Sequence, residues 1–181
     1  MVASVESLQR GSSRQGKALI DALRSSDGSL PREAITSVIP YNESFLFVDR
    51  ITHLDEKSVV AELDVHEDLP YLNGHFVHFP VMPGALMAEG VGQAGSLLVR
   101  YRLEDPATKD ILICRIEDAR FKSHVVPGSV LRYNVNLGNM NRALARLSGE
   151  AWVGSRKIAM FKMIVAIVDR DAFCATDPDS L

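Results

Sequence analysis

Several features that would indicate particular protein classes are scarce in this 181-residue sequence. Its two cysteines, Cys114 and Cys174, are too few for a disulfide framework and stand in no CxxC-type spacing that would suggest zinc or redox chemistry. Lys and Arg number 20 against 23 Asp and Glu, so a basic face for nucleic acid is not expected. The longest clean apolar run, at 163–168, is much shorter than the roughly 20 residues of a membrane helix. We therefore expect a cytoplasmic protein with no membrane span and no secretory signal.

The first part of the chain differs in composition from the rest. Residues 1–31 carry seven serines and few large apolar residues. We expect an N-terminal extension over 1–34 that is mobile or partly helical, with at most one short helix, and that lies outside the core. One domain is expected over 35–171, followed by a C-terminal tail over 172–181.

Short β-type segments and one long helix alternate along the central part of the chain. Alternation of apolar and polar residues, as at 58–65, predicts strands. The predicted strands cover 45–50, 58–65, 111–117, 119–125, 130–137, 144–153 and 157–168. Pro83 is favoured at a first helical position and predicts a helix that runs to about Arg102. The pattern favours an α+β fold in which a curved antiparallel sheet wraps around one long central helix.

The predicted helix contains Gly90, Gly92 and Gly95 in its interior. Each interior glycine costs about 1 kcal/mol of helix propensity relative to alanine. Close packing of the sheet against the helix would explain why glycine is tolerated there.

Residues 74–95, GHFVHFPVMPGALMAEGVGQAG, combine histidines, glycines and an acid. The glycines match GxGxxG and allow a nucleotide site, although such a motif should open a helix rather than lie inside one. His75 and His78, with Glu89, allow a metal site, although Pro80 favours an extended segment there. His75 and Glu89 also allow general acid–base catalysis. Against all three stands the interpretation that these are packed or solvated residues without a role in chemistry.

Acid–base catalysis has a specific physical argument. In a helix, Glu89 shares a face with Leu86 and Gln93, so its carboxyl group would be poorly solvated and is expected to keep its proton near neutral pH. His75, on the loop before the helix, would supply a base, since imidazole titrates near neutral pH. The N–H of Gly84, at the start of the helix, can hold a developing oxyanion. Together these groups are what elimination of water from a β-hydroxy carbonyl compound requires.

The same stretch closely resembles the β-hydroxyacyl-(acyl carrier protein) dehydratases of the hotdog fold. The hallmark of that family is GHF, then PVMPG, then a helix with Glu and Gln four residues apart. IPYNESFLFVDRI at 39–51 resembles the family's opening strand, and ARFKSHVVPGSVL at 119–131 resembles a later strand that enters a Pro-Gly turn. The resemblance covers about residues 35–168.

The resemblance implies a role for individual residues. His75 would be the catalytic histidine, Glu89 the acid, Gly84 the N–H donor to the thioester carbonyl and Gln93 the amide near the acid. A Glu rather than an Asp resembles the branch that dehydrates without moving the new double bond. The acyl chain would lie in an apolar tunnel, whose candidate lining residues, all equally suited to a core, are Phe76, Phe79, Val81, Met82, Leu86 and Tyr71.

The implied function is dehydration of 3-hydroxyacyl thioesters to trans-2-enoyl thioesters in fatty acid or polyketide-type biosynthesis. The substrate would be carried on the 4′-phosphopantetheine of an acyl carrier protein or on CoA. No metal or redox cofactor is expected, because the reaction needs neither electrons nor a Lewis acid. Candidate contacts for an acidic carrier protein, each equally a solvated surface charge, are Arg100, Arg102, Arg120 and Lys122.

In that family the histidine and the acid come from opposite subunits. The resemblance therefore implies a homodimer with two composite sites, and a trimer of dimers is a further assembly that it allows. Two other functions stay open: a hotdog acyl thioesterase, and a non-catalytic acyl-binding or scaffold subunit.

The sequence also departs from the family pattern. Val77 and His78 stand where the family usually has Pro-Gly, beside the expected catalytic histidine. Tyr41-Asn42-Glu43-Ser44 replaces the usual basic and proline residues before the first strand. These departures are compatible with the same chemistry and leave the substrate open.

Overall fold

The computed structural model of the chain describes residues 15–72, 74–76 and 78–174. Helices α1 and α2 come first, a 3₁₀ turn follows, and strands β1 and β2 form a hairpin. Helix α3 is the long one, and four strands and a last short helix complete the chain. The bounds are α1 Gln15–Asp21, α2 Arg32–Val38, the 3₁₀ turn Glu43–Phe45, β1 Arg50–Leu54, β2 Ser58–Asp64, α3 Gly84–Arg102, a second 3₁₀ turn Pro106–Thr108, β3 Lys109–Phe121, β4 Val130–Met140, β5 Leu144–Val153, β6 Arg156–Asp169 and α4 Arg170–Cys174.

The six strands form one antiparallel sheet in the order β1-β2-β4-β5-β6-β3. Helix α3 connects β2 near one edge to β3 at the other, so the chain crosses a face of the sheet between them. Alternate residues of β2 and β4, such as Val59, Ala61, Leu131 and Tyr133, are at most 2% exposed and belong to one hydrophobic core with α3. The predicted α+β arrangement of a sheet around a central helix is confirmed.

Helix α3 is buried almost all round, and fourteen of its nineteen residues are in the core. Its glycines lie where the sheet approaches most closely. A Cβ on Gly90 would lie 2.4 Å from the Tyr133 ring, and one on Gly95 would lie 2.3 Å from Leu147 Cδ1. The expectation that close packing explains these glycines is confirmed. The same contacts fill the space that a phosphate would need in the GxGxxG interpretation.

Two details of the strand prediction are wrong. Residues 45–49 do not form a strand, because Phe45 and Phe47 pair their backbone groups with the side chain of Gln93 instead of with a neighbouring strand. The two strands predicted over 111–117 and 119–125 are one strand, β3, whose register against β6 shifts at two irregularities. Such β-bulges interrupt the alternation of side chains on which the prediction depends.

The N-terminal segment is part of the core as far as the structure describes it, contrary to expectation. Ile20 and Leu30 are at most 1% exposed, and Leu30 forms a β-bridge with Ile51. Gly16 N donates to Leu103 O at 3.0 Å, which holds α1 against the end of α3. A few well-placed apolar residues are enough to dock a serine-rich segment. The start of the extension, at 1–14, and residues 175–181 of the tail lie outside the described residues, and the domain limits stay a prediction.

No helix within the described ranges is long and apolar enough to cross a membrane.

Candidate active site

His75 lies half-buried on the loop before α3, with its orientation fixed by a hydrogen bond. Its Nδ1 is 2.9 Å from Val81 O, and its ring contacts Phe76 at a centroid distance of 4.5 Å. A carbonyl oxygen only accepts, so Nδ1 carries the proton, and in the neutral ring Nε2 keeps its lone pair. This arrangement leaves Nε2 of a neutral His75 available to accept a proton.

The loop that carries His75 is attached to the segment after β3. Val81 N donates to His75 O at 3.1 Å, and Met82 N donates to Val125 O at 2.9 Å. The ring of Phe79 contacts that of His124 edge-on at 5.1 Å. These contacts fix where the loop enters α3, although Val77 lies outside the described residues.

Gly84 opens α3, where the first N–H groups of a helix have no intrahelical acceptor. The first helical hydrogen bonds run from Leu86 N and Met87 N to Pro83 O. A Cβ on Gly84 would lie 2.6 Å from Phe121 Cε1, so glycine lets the aromatic ring pack against the start of the helix. The free N–H groups and the positive end of the helix dipole suit a developing oxyanion.

Glu89 projects from the second turn of α3 and is half-buried. Gln93, which is 0% exposed, donates from Nε2 to Glu89 Oε1 at 3.0 Å. The Glu89 carboxyl group is thus held by the buried amide one turn further along the helix.

Within the described part of the chain, no hydrogen bond joins His75 to Glu89. The partner of His75 is Val81 O on its own loop, whereas that of Glu89 is Gln93. Each group is oriented separately.

The predicted acyl-lining residues do not all face one cavity. Leu86 and Tyr71 line a cleft of about 580 Å³ next to Phe45 and Phe47. Val81 and Met82 are buried, at 6% and 2% exposed. Phe76 and Phe79 lie on the surface of the single chain, at 62% and 52% exposed, and therefore suit an interface better than a core.

One of the four basic residues proposed as carrier contacts is not on the surface. Arg100 is 1% exposed, and its guanidinium donates to Pro106 O at 2.7 Å and to Asp110 at 3.1 Å, so its assignment as a surface contact is wrong. Arg102, Arg120 and Lys122 are exposed, and the carrier role stays a prediction for them.

The residues of the alternative metal interpretation are not assembled. Across the residues that the structure describes, no group of three or more His, Cys, Asp and Glu side chains is placed to hold a metal ion. His78 is exposed and His75 points to Val81 O.

The role of the Val81 carbonyl is not predicted by the sequence, in which Val81 is only a candidate lining residue. A backbone acceptor six positions from His75 leaves no signal in a side-chain pattern, and the structure alone places the two together.

Comparison with known proteins gives the family. The model of the FabA-like domain matches residues 39–162. A FabZ 3-hydroxyacyl-(acyl-carrier-protein) dehydratase from Solibacter usitatus is 33% identical over 137 residues, which are 76% of this chain and 85% of that protein. The FabZ of Pelotomaculum thermopropionicum is 36% identical over 134 residues, which are 74% of this chain and 95% of that protein.

Solved structures agree on the hotdog fold. The dehydratase heterocomplex ApeI:P from Xenorhabdus doucetiae superimposes with a TM-score of 0.67 at 15% identity, covering 77% of this chain and 94% of that one. A thioesterase from Haemophilus influenzae superimposes with a TM-score of 0.53 at 16% identity, covering 70% and 82%. Since both reactions occur on this fold, the fold does not choose between them, whereas the relatives that are similar in sequence are dehydratases. The chain belongs to the FabA-like family of the hotdog fold, with FabZ dehydratases as its curated relatives.

Proposed function

We propose that this chain removes water from 3-hydroxyacyl thioesters of an acyl carrier protein, with His75 as the base and Glu89 as the acid. The observation that carries the residue assignment is the hydrogen bond from His75 Nδ1 to Val81 O, which leaves Nε2 as a free base at the start of α3. The FabZ relatives are 3-hydroxyacyl-(acyl-carrier-protein) dehydratases, which supports the reaction class.

The mechanism follows from the groups at hand. Neutral His75 takes a proton from the α-carbon through Nε2, and the N–H of Gly84 stabilises the enolate-like oxygen of the thioester. Glu89 gives its proton to the departing hydroxyl, the C–O bond breaks, and water and a trans-2-enoyl thioester result. The proton on His75 then passes through solvent to the Glu89 carboxylate, which restores both groups. The proposed chemistry needs no metal or redox cofactor.

We propose further that the site is composite, with His75 from one subunit and Glu89 from another. His75 and Glu89 have separate partners, and Phe76 and Phe79 beside His75 are exposed in the single chain. Strand β3 is an edge strand that leaves Ile116 49% exposed. An exposed edge of this kind suits pairing with a second copy. A homodimer accounts for all three observations. We place this dimer in the cytoplasm, where Arg102, Arg120 and Lys122 would face the carrier protein.

The residue assignment is tested by the reverse reaction, hydration of a trans-2-enoyl thioester, which is measured as the loss of the enoyl absorbance. His75→Ala and Glu89→Gln should each lower kcat by about 10²- to 10⁴-fold. His53→Ala and Glu104→Gln, which change exposed residues of the same types outside the site, should keep the parent rate. Parent rates in both site variants would contradict the mechanism.

A thioesterase is the second candidate function, because structures with that activity share the fold. It would release a free thiol, which a thiol-trapping reagent detects. Thiol release that depends on His75 and Glu89, without hydration, would replace dehydration as the function. An inactive parent protein in both assays would favour the scaffold interpretation.

Mixing the two inactive variants tests the composite site. If His75 and Glu89 come from opposite subunits, a dimer of His75→Ala with Glu89→Gln has one intact site and one doubly changed site. Co-expression in equal amounts makes half of the dimers mixed, so about a quarter of the parent activity should return. If both residues of a site come from one subunit, every site is defective and the mixture stays inactive.

A further inference from the structure

Trp152, the single Trp of the chain, lies half-buried on the outward face of β5. Its neighbour Ala151 is 0% exposed and belongs to the core with α3. Because side chains alternate between the two faces of a strand, Trp152 projects away from that core. Its Nε1 donates to Glu150 at 3.1 Å, and Lys157 Nζ lies 4.8 Å from the centroid of its ring. The indole is therefore held in one orientation on the outer surface of the sheet.

Basic residues surround this indole. Arg132 is its strand partner on β4, and Lys157 is its strand partner on β6. Lys157 is neutralised by Glu150, which accepts from its Nζ at 2.7 Å. Arg132, Arg156 and Lys122 are exposed and form no ion pair with any carboxylate of the described residues. Three uncompensated cations therefore lie near one aromatic ring, on a chain whose net charge is −3.

The acid that lies opposite Arg132 in the sheet does not cancel its charge. Glu62 of β2 is the strand partner of Arg132, but its carboxylate accepts from Arg50 Nε at 2.7 Å. We name the aromatic ring and its cations the Trp152 patch, which consists of Trp152, Arg132, Arg156, Lys157 and Lys122. This patch is positive on an outer surface that is otherwise mixed in charge.

The Trp152 patch reaches the end of the sheet at which α3 begins. Lys122 N donates to Ile158 O at 2.7 Å, which joins Lys122 to the residue that follows Lys157. Phe121, the residue before Lys122, packs its ring against Gly84 at the first turn of α3. A partner on the patch would thus lie beside the N–H group that is proposed to hold the thioester oxygen.

We propose that the Trp152 patch binds an acidic protein surface, that of the carrier protein which delivers the thioester. This inference rests on the proposed function. Trp and Arg are among the residue types that contribute most to binding at protein interfaces, and unpaired cations attract and orient an acidic partner. The open outward face of a sheet suits a protein surface better than a small molecule, which binds in a concave site.

Arg132→Glu tests the patch with one 3-hydroxyacyl group on two carriers, an acyl carrier protein and free pantetheine. Dehydration is followed as the gain of enoyl absorbance. We expect KM for the protein-bound substrate to rise about tenfold and kcat to stay within about twofold. KM and kcat for the pantetheine thioester should match the parent, because that substrate has no protein surface to bind. Added salt should raise KM of the parent for the protein-bound substrate, since it screens the cations.

Arg142→Glu is the matched control. Arg142 is also exposed and makes no ion pair with the described carboxylates, but it lies in the turn between β4 and β5, at the other end of this hairpin. The substitution changes the net charge by the same amount and should leave both KM values at the parent level. Equal effects of Arg132→Glu and Arg142→Glu would mean that overall charge, not the patch, attracts the carrier. A higher KM of Arg132→Glu for the pantetheine thioester as well would mean that the substitution damages the site, and would likewise overturn the inference.

The fluorescence of Trp152 gives a second readout that does not depend on turnover. Because the chain has a single Trp, an acyl carrier protein without tryptophan should change the emission of the parent and leave that of Arg132→Glu unchanged. If the parent dehydrates neither thioester, the proposed function fails, and this titration still decides the docking surface. An emission that the carrier protein does not change, with equal KM values for the parent and Arg132→Glu, would overturn the docking surface while dehydration stands.

Discussion

Arg100 lies near the C-terminal end of α3 with its guanidinium removed from water. It donates to Pro106 O and to Asp110, and Asp110 also accepts from Arg170 at 3.1 Å. Burial lowers the pKa of Arg100, since a charged group is less stable away from water. The acceptors around Arg100 stabilise its positive charge, and a substitution that removes one of them leaves a buried charge uncompensated.

We predict that Asp110→Asn destabilises the protein by about 3 kcal/mol at pH 7, the usual cost of breaking a buried ion pair on one side. Urea unfolding followed by circular dichroism measures the change. Asp118→Asn is the control, because Asp118 pairs with Arg120 at the surface and should cost at most about 1 kcal/mol. Equal effects of the two substitutions would show that burial of Arg100 does not determine how much the ion pair stabilises the protein.

The same pair predicts a pH dependence. Burial alone would raise the pKa of Asp110, but the hydrogen bonds and charges of Arg170 and Arg100 outweigh it and hold this pKa below its ordinary value. A carboxyl group with a lowered folded-state pKa stabilises the protein above about pH 4 and loses that contribution as pH falls through the folded-state value. The difference in unfolding free energy between the parent and Asp110→Asn should therefore shrink below about pH 4. A difference that is constant from pH 7 to pH 3 would contradict the assignment.

Residue by residue, the sequence indicated candidate groups for the chemistry but not what surrounds them. His75 and Glu89 stand in a motif with few alternatives. Arg100 was misplaced because nothing in its local sequence shows that the turn at 106–108 and Asp110 fold over it. The Val81 carbonyl was missed because a backbone acceptor leaves no signal in a side-chain pattern.

Helix α3 combines poor helix propensity with a fixed position in the core. Replacing an interior glycine by alanine should favour the helix by about 1 kcal/mol. Packing opposes this gain, because the sheet occupies the space of the missing methyl groups. At Gly95 the obstacle is Leu147, a residue that is itself 2% exposed and has little room to move.

We predict that packing wins and that Gly95→Ala lowers the unfolding free energy by about 1–2 kcal/mol, as overpacking a core does. Gly138→Ala is the control, because its Cβ would meet Arg146 O at an ordinary 3.5 Å and the stability should change by less than about 0.5 kcal/mol. In a Leu147→Ala background, Gly95→Ala should become neutral or stabilising. A more stable Gly95→Ala single variant would mean that helix propensity dominates.

At the level of elements, periodic patterns predicted well and irregular backbone did not. The limits of α3 and the alternation in β2 and β4 follow from local sequence, because burial on one face repeats with the period of the element. Residues 45–49 look like a strand but bond to Gln93, a long-range partner that no local pattern reveals. The docking of α1 depends on a few residues, Ile20 among them, in a segment of polar composition.

At the scale of the whole molecule, β3 is the strand whose pairing a single chain does not complete. It forms one edge of the sheet, pairs with β6 on one side, and leaves Ile113, Ile116 and Phe121 36%, 49% and 53% exposed. A long apolar edge strand is a site of uncontrolled association unless something covers it. Pairing with β3 of a second copy would extend the sheet and cover these side chains, and each copy would present the same residues to the other.

Ile116→Lys tests this arrangement. A two-fold interface repeats every substitution, so two lysines would enter one apolar contact, and we predict that the proposed dimer dissociates to the mass of one chain in light scattering at micromolar concentration. Activity should fall with dissociation, because the proposed composite site needs both subunits, and both mass and activity should recover together as the protein concentration rises. Leu144→Lys is the matched control, because Leu144 is also exposed, at 43%, but begins β5 inside the sheet. It should leave mass and rate unchanged.

An Ile116→Lys protein that keeps the mass of two chains would place the interface elsewhere, and one that is a monomer with the parent rate would show that each chain holds a complete site.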